Sequence, residues 1–239
     1  MDERAYAVVQ QSLRAVHGKF EYVLIGGWAV YAHGSRVPSV DTDMLVRQRD
    51  LGDVARALGL SAGAPESAAR CELFPLDRFN HILGQDVSMG ERDLGYVASA
   101  VLEGRLATAT LELPGGRREA IIPQAPELAF MKLKAFHDRE LAWRAVREPA
   151  VMARIPPEQR PEVRERTEGY YLRKAGKDLY DIAFLCSHGC RMSDALALAE
   201  PFGLAAALTA SWERRPRPLV RFAFDLAEDE ATRRVLETR

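Results

Sequence analysis

The stretch that most constrains this chain is residues 22–46, "YVLIGGWAVYAHGSRVPSVDTDMLV". A short apolar run stops at Gly26-Gly27, and a second strand-like run opens with Asp41-Thr42-Asp43. Carboxylates at the start of a half-buried strand cost free energy unless solvent or a cation meets them. Strand alternation puts Asp41, Asp43 and Leu45 on one face and Thr42, Met44 and Val46 on the other. The expectation is an apolar face on the core and two acids projecting together into a cleft. Like charges that close repel unless a divalent cation bridges them or one is protonated. Hard oxygen donors of this kind suit Mg²⁺, which keeps waters and takes its other ligands from substrate phosphates. The glycines sit at a strand-to-helix turn, where exposed N–H groups can receive a phosphate. Acids and glycines therefore ask for the same ligand, a nucleoside triphosphate carrying its metal.

The rest of the chain reads as a mixed α/β N-terminal half followed by a helical C-terminal half, with domains at 1–125 and 126–239. Ala5, Val8, Val9, Leu13 and Val16 recur at helical spacing over 3–17. "EYVLI" and "DTDMLV" are strands, "GGWAVYAHG" and "LGDVARALGL" helices, and "NHILGQDVSM" a further strand. "ATLELPGGRREAIIP" predicts a hairpin turning at Gly115-Gly116. From Pro126 the pattern is helical, through "PELAFMKLKAFHDRE", "KDLYDIAFLCSHG", "SDALALAE" and "PLVRFAFDLAEDEATRRVL". No run of about 18 apolar residues is present, so no membrane span is expected. The charged start "MDERAYAVVQ" lacks the apolar core of a signal peptide. Three scattered cysteines suit free thiols in a reducing cytoplasm better than a disulfide framework or a zinc site at "CSHGC". A net charge of −1 argues against a wholly electrostatic nucleic-acid binder, although a local basic patch remains compatible with it.

Ile25-Gly26-Gly27, thirteen intervening residues and then Asp41-Thr42-Asp43 resemble the signature of the DNA polymerase β-like nucleotidyltransferase superfamily. "ELAFMKLKAFHDR" followed by "KAGKDLYDIAFL" is similar to the Lys…Arg…Lys-Asp-x-x-Asp pattern of the AbiEii/AbiGii-type nucleotidyltransferase toxins. The resemblance covers about residues 20–187. It implies a polymerase β-like core, a mixed sheet flanked by helices, with helices behind it. It also implies that Gly26 and Gly27 form the triphosphate turn and that Asp41 and Asp43 bind Mg²⁺ or Mn²⁺. A third carboxylate on a neighbouring strand is expected at Asp86, with Glu72 and Glu112 as alternatives.

Lys132 lies beside the helical stripe Leu128, Met131 and Ala135. The resemblance implies that it contacts nucleotide phosphates, a role Lys134 and Arg139 could share. Asp178 and Asp181, three apart on one helical face, either brace these cations or line the nucleotide pocket. Asp178 is the preferred functional acid, with Lys177 as a phosphate contact and Arg36 as either a phosphate contact or a salt-bridge partner. Trp28 reads as core rather than as a stacking surface. Between Arg139 and Lys177 a segment longer than the compact pattern carries Arg144, Arg147, Arg154, Arg160, Arg164, Arg166, Arg173 and Lys174. It is either a grip for a nucleic-acid acceptor or a solvated helical hairpin laced with ion pairs.

The leading expectation is a metal-dependent enzyme that moves a nucleoside monophosphate from an NTP to RNA, a tRNA 3′ end by resemblance. Its setting would be a toxin–antitoxin or phage-defence pair, with a cognate antitoxin as partner. The alternatives are a small-molecule nucleotidyltransferase of the aminoglycoside or lincosamide kind, and a catalytically silent nucleotide-binding or antitoxin-like module.

Overall fold

A computed structural model describes residues 3–60, 71–75, 105–145 and 147–238. The chain is mixed α/β and divides into two compact units, one running up to Leu128 and one from Ala129. The strand expected at "NHILGQDVSM" lies outside the described residues.

The first unit opens with helix α1 (Glu3–Val16), which buries Ala5, Tyr6, Val9, Leu13 and Val16 as its apolar spacing requires. Strand β1 (Tyr22–Ile25) follows and is buried throughout. It runs without a loop into helix α2 (Gly26–Ala32). Strand β2 (Thr42–Val46), helix α3 (Leu51–Ala57) and strand β3 (Cys71–Pro75) come next. The sheet order is β1-β2-β3, with β1 antiparallel and β3 parallel to β2. The parallel step needs a crossover, and α3 lies within it.

As the central strand, β2 departs from the alternation expected of it. Thr42, Met44, Leu45 and Val46 are all buried, so Leu45 is on a covered face rather than the cleft face. Strands buried on both sides read as continuous apolar runs. The strand also begins one residue late, with Asp41 in the bend before it.

Strands β4 (Leu106–Leu113) and β5 (Gly116–Pro123) form an antiparallel hairpin in which Leu113 pairs with Gly116. The turn is therefore Pro114-Gly115, one residue earlier than expected. Gly116 already belongs to the ladder, with a φ of +103° that favours glycine. Pro114, which has no N–H to donate, falls in the loop.

Helix α4 (Ala125–Ala145) begins before the boundary between the units and ends well past it. The second unit continues with α5 (Pro149–Met152), α6 (Arg160–Ser187), α7 (Met192–Ala197), α8 (Ala205–Arg214), α9 (Arg217–Leu226) and α10 (Glu230–Glu237). The 28-residue α6 is the spine on which α9 and α10 pack. Gly176 makes that approach possible, because a Cβ there would lie 2.5 Å from the Phe222 ring. The C-terminal periodicity, one continuous stretch in sequence, breaks at Asp229. Its carboxylate accepts the Thr232 N–H at 2.7 Å and starts α10 as an N-cap. No helix among the described residues is long and apolar enough to cross a membrane.

Candidate functional site

In the first unit the Gly-Gly turn and the Asp-x-Asp strand meet directly. Register places Ile25 opposite Asp43, so the end of β1 and the start of β2 are side by side. Gly26 then turns with a φ of +67° into α2. A Cβ on Gly26 would lie 2.1 Å from Asp43 Oδ2, and one on Gly27 would lie 2.7 Å from the Ser39 Cβ. Both glycines are needed for close approach: the first admits the Asp43 carboxylate, the second the loop that delivers it. Ser39 carried no signal in the sequence, since a serine before an acidic strand is ordinary loop composition.

The parallel register sets Glu72 beside Asp43. Register partners in a sheet project to the same face, so these two carboxylates share an end of the sheet. Its electrostatics register on Cys71, whose thiol is pushed up to about 11. Burial is the main cause; the negative charges of Asp43 and Glu72 add to it, against a lowering hydrogen bond with Ser12. Asp86 lies outside the described residues. Asp41 and Asp43 are half-buried, whereas Arg36 is exposed in the loop between α2 and β2. Trp28 is fully buried, edge-on to Tyr6 at 5.3 Å and Tyr31 at 5.2 Å, and so is part of the core. Glu112 pairs with Arg117 at 2.8 Å on the exposed hairpin.

The second unit holds a buried charge cluster built by α4 and α6. The Lys132 ammonium lies between two carboxylates, 3.2 Å from Asp178 Oδ1 and 2.8 Å from Asp181 Oδ2. Arg139 pairs with the other oxygen of Asp178, and Lys177 with the other oxygen of Asp181. Asp178 and Asp181 are at most 1% exposed, and Lys132 is 9% exposed. Burial by itself would lower the Lys132 pKa, but Asp181 and Asp178 outweigh it and hold it above the ordinary lysine value. Burial would likewise raise Asp178, and Arg139 and Lys132 overcome it, keeping the carboxyl below its usual range. Lys177 behaves differently, with burial the dominant cause and its pKa lowered.

Asp178 and Asp181 thus brace the cations around Lys132, one of the two roles left open by the sequence. Three cations meet two carboxylates, and the outer pair, Lys177 and Arg139, retains 20% and 33% side-chain exposure. Lys134, nearly buried, is paired with Asp138 at 2.6 Å.

Several members of the arginine-rich segment are ion-paired or bonded to backbone. Arg144 pairs with Glu140, Arg164 with Glu168 at 2.9 Å, and Arg160 donates to the Ile155 carbonyl at 2.7 Å. Arg147 stacks over Trp143 at 4.6 Å. By contrast, Arg166, Tyr170 and Arg173 are exposed and spaced four and three residues apart on α6, which puts them on one face.

Among the described residues no three His, Cys, Asp or Glu side chains come together as a closed metal-holding group. The donors at the Gly26 corner are instead a few hard carboxylate oxygens at a sheet end, which suit an ion completed by water and substrate phosphate. No protein-family model matches this sequence, and neither a curated protein nor a solved structure matches it.

Proposed function

We propose that the chain is a polymerase β-like nucleotidyltransferase that moves a nucleoside monophosphate from an NTP to a hydroxyl of RNA. The observation that carries this reading is the contact between Gly26 and Asp43. A side chain is absent where the second acid of the Asp-x-Asp pair must sit, so the two motifs act as one corner rather than as separate accidents.

In this reading Asp41 and Asp43, with Glu72 on the neighbouring strand, would hold Mg²⁺ or Mn²⁺. The metal would neutralise phosphate charge and lower the pKa of the attacking hydroxyl. Gly26 and Gly27 let the triphosphate approach the backbone, and Arg36 closes on it from the loop. A carboxylate at this corner takes the proton from the acceptor hydroxyl, whose oxygen forms a bond to the α-phosphorus. The bond from the α-phosphorus to the bridging oxygen breaks, and pyrophosphate leaves with that electron pair. The protein contributes positioning and electrostatics rather than covalent chemistry.

The Lys132–Asp178–Asp181 cluster fits a bracing role, with Lys177 and Arg139 keeping part of their side chains exposed. An RNA acceptor is favoured by the Arg166–Tyr170–Arg173 face, where cations flank an exposed ring as in stacking platforms for single strands. A tRNA 3′ end and an antitoxin partner follow from the family resemblance.

The test incubates the protein with Mg²⁺, tRNA and each α-labelled NTP in turn. Label should enter RNA with one or more NTPs and be lost in the Asp41→Ala, Asp43→Ala double variant. Equal labelling by the variant, or none by the folded wild type, would sink the proposal.

A further inference from the structure

Away from both clusters, the end of α8, one face of α9 and the end of α10 line an open pocket of about 500 Å³. That volume lies within the range of small-molecule sites. Four arginines line it, Arg214, Arg215, Arg217 and Arg221, together with Glu213 and Glu237. Phe224 and Leu236 supply an apolar side.

The arginines are not equivalent. Arg214 is 3.6 Å from the buried Glu140 carboxylate and donates to Ser211 Oγ at 3.4 Å. Arg215 is nearly buried, donates to the Thr238 carbonyl and lies 4.0 Å over the Trp212 ring. Arg217 and Arg221 are exposed and form no ion pair among the described residues. They stand one turn apart on α9, a spacing at which like charges repel. Arg217 also begins that helix, where the backbone dipole disfavours a cation. An anion bound between Arg217 and Arg221 offsets this repulsion.

We propose that this pocket binds a phosphomonoester carried on an aromatic or apolar body. Arg214 is taken up by Glu140, and Arg217 and Arg221, which form no ion pair among the described residues, together present two positive charges to the pocket. A phosphomonoester carries about −1.5 to −2 at pH 7, whereas a diester carries a single charge. Guanidinium forks from Arg217 and Arg221 take the phosphate oxygens in pairs, and the half-buried Phe224, whose ring carries the Arg233 guanidinium at 5.0 Å, gives the attached body an apolar edge. Two sources present this chemistry, a free nucleoside monophosphate and the 5′-phosphorylated end of an RNA strand. The site is independent of the transferase reading.

Calorimetric titration in EDTA, which removes any metal-dependent binding, tests it with AMP, adenosine, inorganic phosphate, and an RNA decamer bearing either a 5′-phosphate or a 5′-hydroxyl. AMP or the 5′-phosphorylated decamer should bind while adenosine and the 5′-hydroxyl decamer do not. Binding by AMP identifies the free nucleotide as sufficient; binding by the phosphorylated decamer alone identifies the strand end. The Arg217→Glu, Arg221→Glu variant should weaken that binding at least tenfold. The Arg217→Lys, Arg221→Lys variant should keep part of it, and circular dichroism checks that both variants are folded. Absence of any phosphate-dependent binding to wild type, or binding unchanged in the glutamate variant, overturns the proposal.

Discussion

At Gly26 two requirements coincide: a φ of +67° and a free path for Asp43 Oδ2, which an added Cβ would meet at 2.1 Å. Gly26→Ala should therefore cost about 1–2 kcal/mol for left-handed strain alone. It should also displace the carboxylate, so NMP transfer should fall well beyond what the loss of stability explains. Denaturant midpoints and labelled transfer on the same preparations separate the two effects. Asp178 answers to pH. Burial opposes its ionisation, but Arg139 and Lys132 overcome it and hold its folded pKa below the unfolded value. Its contribution to stability is then present above about pH 3.9, the ordinary carboxyl value, and is lost as pH falls through the lower folded one. Asp178→Asn should lower stability at pH 7 and flatten the decline between pH 5 and 2, read from urea unfolding at several pH values.

At the scale of elements, α4 and α6 are joined through charge as well as apolar packing. Lys132→Ala leaves Asp178 and Asp181 buried with their central cation gone, a loss of about 3–5 kcal/mol by the cost of breaking buried pairs. A lysine on a solvated face would cost almost nothing, so thermal unfolding of this one variant distinguishes the two environments. Along α6, Arg166, Tyr170 and Arg173 are exposed. Arg166→Glu with Arg173→Glu should leave the unfolding midpoint nearly unchanged. If this face grips RNA, the same double variant should weaken RNA binding and reduce the salt slope by about 1.4, two phosphate contacts on a single strand. An unchanged slope would assign RNA contact to another surface.

For the molecule as a whole, the proposed corner predicts linkage between ligand and stability. A nucleotide held with Mg²⁺ at about 100 times its dissociation constant adds about 2.7 kcal/mol to the unfolding free energy. The increment should appear with at least one NTP, vanish in EDTA, and be absent from the Asp41→Ala, Asp43→Ala variant. Chemical denaturation with and without Mg²⁺ and NTP measures it directly. Because the acids are half-buried, the variant itself should fold without a large penalty.

What the amino-acid order determined unaided was local in origin. Apolar spacing marked α1, and the buried run before Gly26-Gly27 marked β1. The hairpin was evident from its glycines, to within one residue. The pairing of a glycine turn with two acids thirteen residues on was likewise visible, because each motif is contiguous. Tertiary structure decided everything that needed residues far apart to meet. Packing of other elements, α1 and α2 among them, against β2 left Leu45 buried, where alternation alone assigned it to a cleft. Parallel register set Glu72, one of the alternatives to Asp86, beside Asp43. Sequence left Asp178 and Asp181 either bracing the cations around Lys132 or lining a pocket; packing placed Lys132 between these acids, forty-six and forty-nine positions away. The arginine pocket joins α8, α9 and α10, where no single segment reads as a site. The physical reason is common to all four: helix and strand periodicity act over a few residues, whereas burial and charge pairing are set by whichever distant side chains the packing brings within a few ångströms.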